Sequence, residues 1–188
     1  MLISGDQLAS LPLASVRSAA RIGHIKELLI NPHNLHIDAL LCQVVSFSQT
    51  KYLSPLDIRD ISVNGFIIDD HDNLFEDEDA VRLRSIIDIN FKLVGKAAYV
   101  GKKRVGQVSG FSVDSSSLYI QQIYVNPSIM NRLRGDRLIF SRSNVKEVTD
   151  QAIFFNDSSR EAAGEEVGST EEPQLSPSAA ANAALTES

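Results

Sequence analysis

The sequence predicts a mainly β chain made of one unit written twice, followed by a tail that does not fold. Three observations carry this. Residues 21–30 read "RIGHIKELLI", and from Arg104 the chain reads "RVGQVSGFSV", repeating the apolar pattern 83 positions on. Each copy has short runs rich in Ile, Val, Leu and aromatics, bounded by turn signals, "NPHN" in the first and "DSSS" in the second. From residue 158 the chain reads "SSREAAGEEVGSTEEPQLSPSAAANAALTES", with few large apolar residues. Such a segment cannot bury enough surface to offset its ordering entropy, so disorder is expected over 158–188.

The repeat assigns the strands of each copy. Arg21-Ile22-Gly23-His24-Ile25 matches Arg104-Val105-Gly106-Gln107-Val108, and Leu28, Ile30, Leu35, Ile37 and Leu40 match Phe111, Val113, Leu118, Ile120 and Ile123. Apolar positions persist while the polar ones between them vary, as a buried pattern does when its surface is free to change. Ile25 and Val108 both break the period-2 alternation set by their neighbours. A shared slip predicts a bulge or tight bend near Gly23 and Gly106, where glycine accepts unusual backbone angles. Curled, bulged strands are what a small barrel requires.

Past this point the offset becomes 87, because the second copy holds four extra residues around "NPSIMNRLRGD". "YLSPLDIRDISVNGFIID" then aligns with "IFSRSNVKEVTDQAIFFN". Within these, Ser54 to Asp57 and Ser141 to Asn144 predict a single helical turn each, with serine accepting backbone N–H bonds at its start. The turns are expected to drop Ile58 and Val145 into the end of each barrel. Between the copies, "EDEDAVRLRSII" predicts a short amphipathic helix, with Ala80, Leu83, Ile86 and Ile87 on one face. Its acids stand at the N-terminal end and Arg82 and Arg84 later, as the helix dipole prefers. The expected organisation is therefore a first unit over 1–69, an acidic linker over 70–90, a second unit over 91–157 and the tail.

Charge follows the same divisions. Residues 1–69 carry −1, 70–90 carry −5, 91–157 carry +5 and 158–188 carry −5, which together give the net −6. The opening "MLISGDQLAS" has no basic, apolar leader pattern, and no stretch approaches the roughly 20 apolar residues that span a bilayer. With a single cysteine, Cys42, in an apolar run, no intramolecular disulfide can form, and a reducing, cytoplasmic setting without membrane insertion is expected. Cys42 reads as a small buried hydrophobe.

Catalytic and metal signatures are weak. His33 and His36 in "HNLH" flank a turn, and with His24, His71 and one cysteine they give no zinc spacing. "VGKAAYVGKKRVG" has glycines and lysines without a phosphate-loop spacing. Acidic pairs such as Asp69-Asp70 and Asp77-Glu78 sit in connectors, where solvated charge is the ordinary role. No catalytic, cofactor-binding or metal-binding residue is assigned. The one interaction candidate is the basic patch of the second unit, Lys102, Lys103 and Arg104 before a strand and Arg132, Arg134 and Arg137 in the extra loop. Tyr119 and Tyr124 could supply stacking beside this patch, although core packing is the more ordinary role at their positions. A surface of +5 beside a tail of −5 also raises the expectation that the tail folds over the patch.

Taken together, "RIGHIKELLINPHNLHIDALL" with "YLSPLDIRDISVNGFIID", and "KRVGQVSGFSVDSSSLYIQQI" with "IFSRSNVKEVTDQAIFF", resemble the PRC-barrel domain in two tandem copies. The resemblance covers residues 1–157. It implies two small all-β barrels, here joined by a short α-helical linker, related to the cytoplasmic domain of the photosynthetic reaction-centre H subunit and to the C-terminal domain of the ribosome-maturation factor RimM. It implies an adaptor rather than an enzyme. The expected partner is a protein of unknown identity, the alternative being RNA or the ribosome held on the basic surface of the second unit.

Overall fold

The computed structural model describes residues 1–45, 50–81, 83–128 and 137–156. Residues 129–136, which include Arg132 and Arg134 of the extra loop, and residues 157–188, which include the tail, lie outside the described residues. The chain is mainly β, as the sequence predicts. It runs β1 (Leu2–Ser4), α1 (Gly5–Leu8), β2 (Pro12–Ser15), β3 (Ala20–Ile30), β4 (Ile37–Val44), β5 (Thr50–Leu53), β6 (Ile58–Ser62), β7 (Gly65–Ile68) and β8 (Leu74–Phe75). It continues through α2 (Arg84–Ile89), β9 (Ala97–Val100), β10 (Lys103–Asp114), β11 (Ile120–Pro127), β12 (Leu138–Ser141), β13 (Val145–Val148) and β14 (Ala152–Phe155).

Two seven-stranded sheets result, and their hydrogen bonding repeats as the sequence does. The first has the order β6-β7-β2-β3-β4-β5-β8, and the second β13-β14-β9-β10-β11-β12 with β1 added on β10. Six strands of each sheet therefore follow one path, including a parallel pair, β2 with β7 and β9 with β14. The irregularities repeat as well. Register slips fall between Ile25 and Glu27 in β3 and between Val108 and Gly110 in β10. Gly23 and Gly106 do mark the bend, but for a different reason than expected. Neither has a positive φ. A Cβ at Gly23 would stand 2.3 Å from the Gln43 carbonyl oxygen, and one at Gly106 would stand 2.0 Å from that of Asn126. Space for the neighbouring backbone demands glycine here.

Both helical turns form. A 3-10 turn over Pro55–Asp57 is capped by the Ser54 hydroxyl, and one over Arg142–Asn144 by that of Ser141. Ile58 and Val145 follow them as the first residues of β6 and β13, half-buried against the core rather than fully inserted. The connector departs further from expectation. Leu74 and Phe75 pair with Leu53 and Tyr52 as β8, which holds the chain extended up to Glu76. Only a 3-10 turn over Asp77–Asp79 follows, and α2 starts at Arg84. Ala80 and Ile86 are buried, whereas Leu83 and Ile87 are half-buried. Asn90 ends α2 in the left-handed region, φ 44°.

The two sheets share one apolar cluster, from Leu8, Ile25 and Phe66 to Ile120, Phe140 and Phe155. Their seam is itself nearly symmetric. Ile37 N–H donates to the Leu118 carbonyl at 3.0 Å, and Ile120 N–H donates to the Leu35 carbonyl at 2.9 Å, an exchange between repeat-equivalent residues. His36 and its counterpart Tyr119 form a β-bridge, with rings 4.6 Å apart edge to face. Leu35 and Leu118 take left-handed backbones there, φ 58° and 55°. Residues 2–4, grouped by sequence with the first unit, join the second sheet as β1. In the other direction, Lys92 of the second copy forms an ion pair with Glu27 of β3.

Candidate binding surface

The β9–β10 hairpin places three of the sequence candidates. Val100 pairs with Lys103 across a two-residue turn of Gly101 and Lys102. Gly101 has φ 56° while Lys102 does not enter the left-handed region, the requirement of a II′-type hairpin turn. Lys102, Lys103 and Arg104 emerge exposed from this tip.

Sheet register brings Arg137 to the same end. Arg137 precedes Leu138, which pairs with Val125, which pairs with Val108 of β10. The guanidinium lies 5.6 Å from the centre of the Tyr124 ring, an exposed cation–π contact. Tyr124 is half-buried, not a core residue, and its hydroxyl donates to Gln122 Oε1 at 3.2 Å. Four of the six predicted cations thus share one end of the second sheet, while Arg132 and Arg134 lie in the segment outside the described residues that leads into it.

Ion pairing takes up several of the chain's cations, while Arg21, Lys26, Arg142 and Lys146 form no ion pair among the described residues and are scattered rather than clustered. Among the described residues, Arg17 is paired with Asp70, Arg59 with Asp69, Lys51 with Glu76, Arg84 with Asp77 and Asp88, and Lys92 with Glu27. Lys102, Lys103, Arg104 and Arg137 meet no carboxylate among the described residues. Clustered and without a carboxylate among the described residues, they favour an anionic partner.

Other chemistry-bearing groups are absorbed locally. Burial pushes the Cys42 thiol up to about 12, so it remains protonated in its apolar strand. His36 Nδ1 lies 2.6 Å from Asp38 Oδ1, and Asp38 also accepts from Asn31 Nδ2 at 2.8 Å. Tyr119, read from sequence as core, is half-buried at the seam with the Arg142 guanidinium 4.3 Å from its ring centre. Asp70, His71 and Asp72 offer ligand atoms within 4.8 Å of one another. Those atoms already pair with Arg17 and with each other at the surface.

Sequence reasoning missed Lys96. It is 8 % exposed, at the wall of a hollow of about 510 Å³ that Asn90, Phe91, Gly95 and Asp150 also line. Its ammonium donates to the Asp150 carbonyl and lies 4.5 Å from the Phe91 ring centre, and burial lowers its pKa. The aligned backbone position in the first copy is Leu11, since Val108 N–H bonds the Lys96 carbonyl as Ile25 N–H bonds that of Leu11. That equivalence is visible only in the hydrogen-bond pattern. Compared with known protein families and with curated proteins, the chain matches none.

Proposed function

We propose that the chain is a non-catalytic adaptor. In this reading it consists of two PRC-type barrels in tandem, bridged by the segment that holds β8 and α2, and its second half docks an acidic protein. The observation that carries the proposal is the end of the second sheet formed by Lys102, Lys103, Arg104 and Arg137, where four cations cluster without carboxylate partners among the described residues. The internal repeat supports the two-barrel reading, because six strands of each sheet follow one path. An adaptor role agrees with a buried, protonated Cys42 and with His36 and His71 engaged in local contacts. Among the described residues no helix is long and apolar enough to cross a membrane.

The test is capture from native lysate by the full chain and by a variant with Lys102, Lys103, Arg104 and Arg137 all changed to Ser. A protein retained through ribonuclease treatment and lost in the variant is expected, its binding weakening as salt rises. Capture that ribonuclease abolishes would instead assign the basic end to RNA or the ribosome. Capture by both proteins alike would remove the basic end from the function.

A further inference from the structure

The repeat is broken at one edge, and the break describes a ligand. In the first sheet, β5 does not end the path, because β8 covers its outer side with Phe75 opposite Tyr52 and Leu74 opposite Leu53. Leu74 is buried beside the core, and the Tyr52 and Phe75 rings stack 6.0 Å apart. In the second sheet the equivalent strand is β12. Leu53 pairs with Leu40 as Phe140 pairs with Ile123, so Ile139 and Phe140 stand where Tyr52 and Leu53 stand. Among the described residues nothing pairs with the outer side of β12. The residues that the repeat would place there, Glu161 and Ala162, carry no large apolar side chain.

Charge says what belongs at that edge. Beyond Phe75 the covering segment continues Glu76-Asp77, and Lys51 of β5 holds Glu76 at 3.5 Å. Antiparallel register sets Thr50 opposite Asp77, and the counterpart of Thr50 in the second copy is Arg137. A cation therefore waits where the second acid of such a strand would arrive. An unpaired sheet edge offers backbone donors and acceptors to an extended peptide, and alternate side chains then decide which peptide fits.

Building on the adaptor reading, we propose that the outer edge of β12 receives one extended strand from the acidic partner. The strand adds antiparallel, with two apolar residues opposite Phe140 and Ile139 followed by two acidic residues, the second facing Arg137. The chain's own Leu74-Phe75-Glu76-Asp77 is the template.

The probe is a synthetic peptide of residues 70–80, "DHDNLFEDEDA", titrated into the isotope-labelled full chain while backbone amides are followed by NMR. Shifts and slowed hydrogen exchange at residues 138–141 are expected. Affinity should fall about tenfold with Arg137→Glu, an exposed position outside the core, and vanish for a peptide with serine at both apolar positions. Shifts at residues 50–53 would mean the peptide displaces β8 and would overturn the proposal. Shifts confined to residues 101–104 would also overturn it, yet leave the basic end as the docking site. No shift at all would overturn strand addition, and the lysate capture would then decide the adaptor reading separately.

Discussion

Two pairs of equivalent residues show what single positions impose on this chain. Gly23 and Gly106 stand so close to the next strand's carbonyl that a methyl group would overlap backbone, not a movable side chain. Alanine at either site should cost about 1–3 kcal/mol, the range for overpacking, because the strand pair must part to admit it. Thermal unfolding of Gly23→Ala and Gly106→Ala would show this as similar losses, and an unchanged melting temperature would refute the close approach. The second pair, Asn31 and Asp114, differs between the copies in a way that pH can read. Asn31 opens the first hairpin loop where Asp114 opens the second. The Ser116 and Ser117 hydroxyls, each 2.7 Å from Asp114 Oδ2, hold its carboxyl well below the usual value of 3.8, with the Met1 ammonium adding to them. A depressed folded-state pKa contributes stability above the ordinary carboxylate value, and that contribution is lost as pH falls from there toward the folded value. Asp114→Asn, the residue of the first copy, should therefore unfold more easily than the parent at neutral pH. The difference should shrink below pH 3.8, and a difference constant with pH would rule the mechanism out.

At the scale of elements, what the sequence made legible is what the two copies share. The offset of 83 located β3 and β10, their bulges and the turn after each, because buried positions tolerate little change while exposed ones drift. The serine-capped turns were legible for the same reason, since both copies carry the hydroxyl. Elements found in one copy alone were not. The acids from Glu76 to Asp79 read as a helix start, but pairing of Leu74 and Phe75 on β5 holds the chain extended and delays α2 to Arg84. Two residues carry no periodicity, so β8 left no pattern to find. The candidate surface divides in the same way. Local clustering identified Lys102, Lys103 and Arg104, whereas the approach of Arg137 depends on β10–β11–β12 register, which no local pattern encodes. For Tyr119 and Tyr124 the sequence favoured core packing over stacking at the surface. The structure half-exposes both and sets a guanidinium against each ring.

The seam decides how the whole molecule behaves. Leu35 and Leu118 each accept a left-handed backbone, a cost of about 1–2 kcal/mol for a residue with a Cβ. Burying a leucine is worth about 1.5–3 kcal/mol, so strain and burial leave a modest balance in favour of the observed geometry. The exchanged hydrogen bonds of Ile37 and Ile120 then close the seam, and β1 ties the N-terminal segment to the far sheet. With one apolar cluster running through both sheets, opening either copy exposes buried surface of the other. The chain should therefore unfold in a single cooperative transition, with calorimetric and van't Hoff enthalpies equal, despite its two-copy sequence. Leu118→Asn tests the point, since asparagine tolerates the left-handed backbone while a polar amide replaces the buried apolar side chain. It should cost about 2–4 kcal/mol, as large-to-small core changes do. Hydrogen exchange should quicken by the same factor in β4 of the first copy as in β11 of the second. Loss of protection in β11 with β4 unaffected, or two separate calorimetric transitions, would show instead that the seam joins two independently folding units.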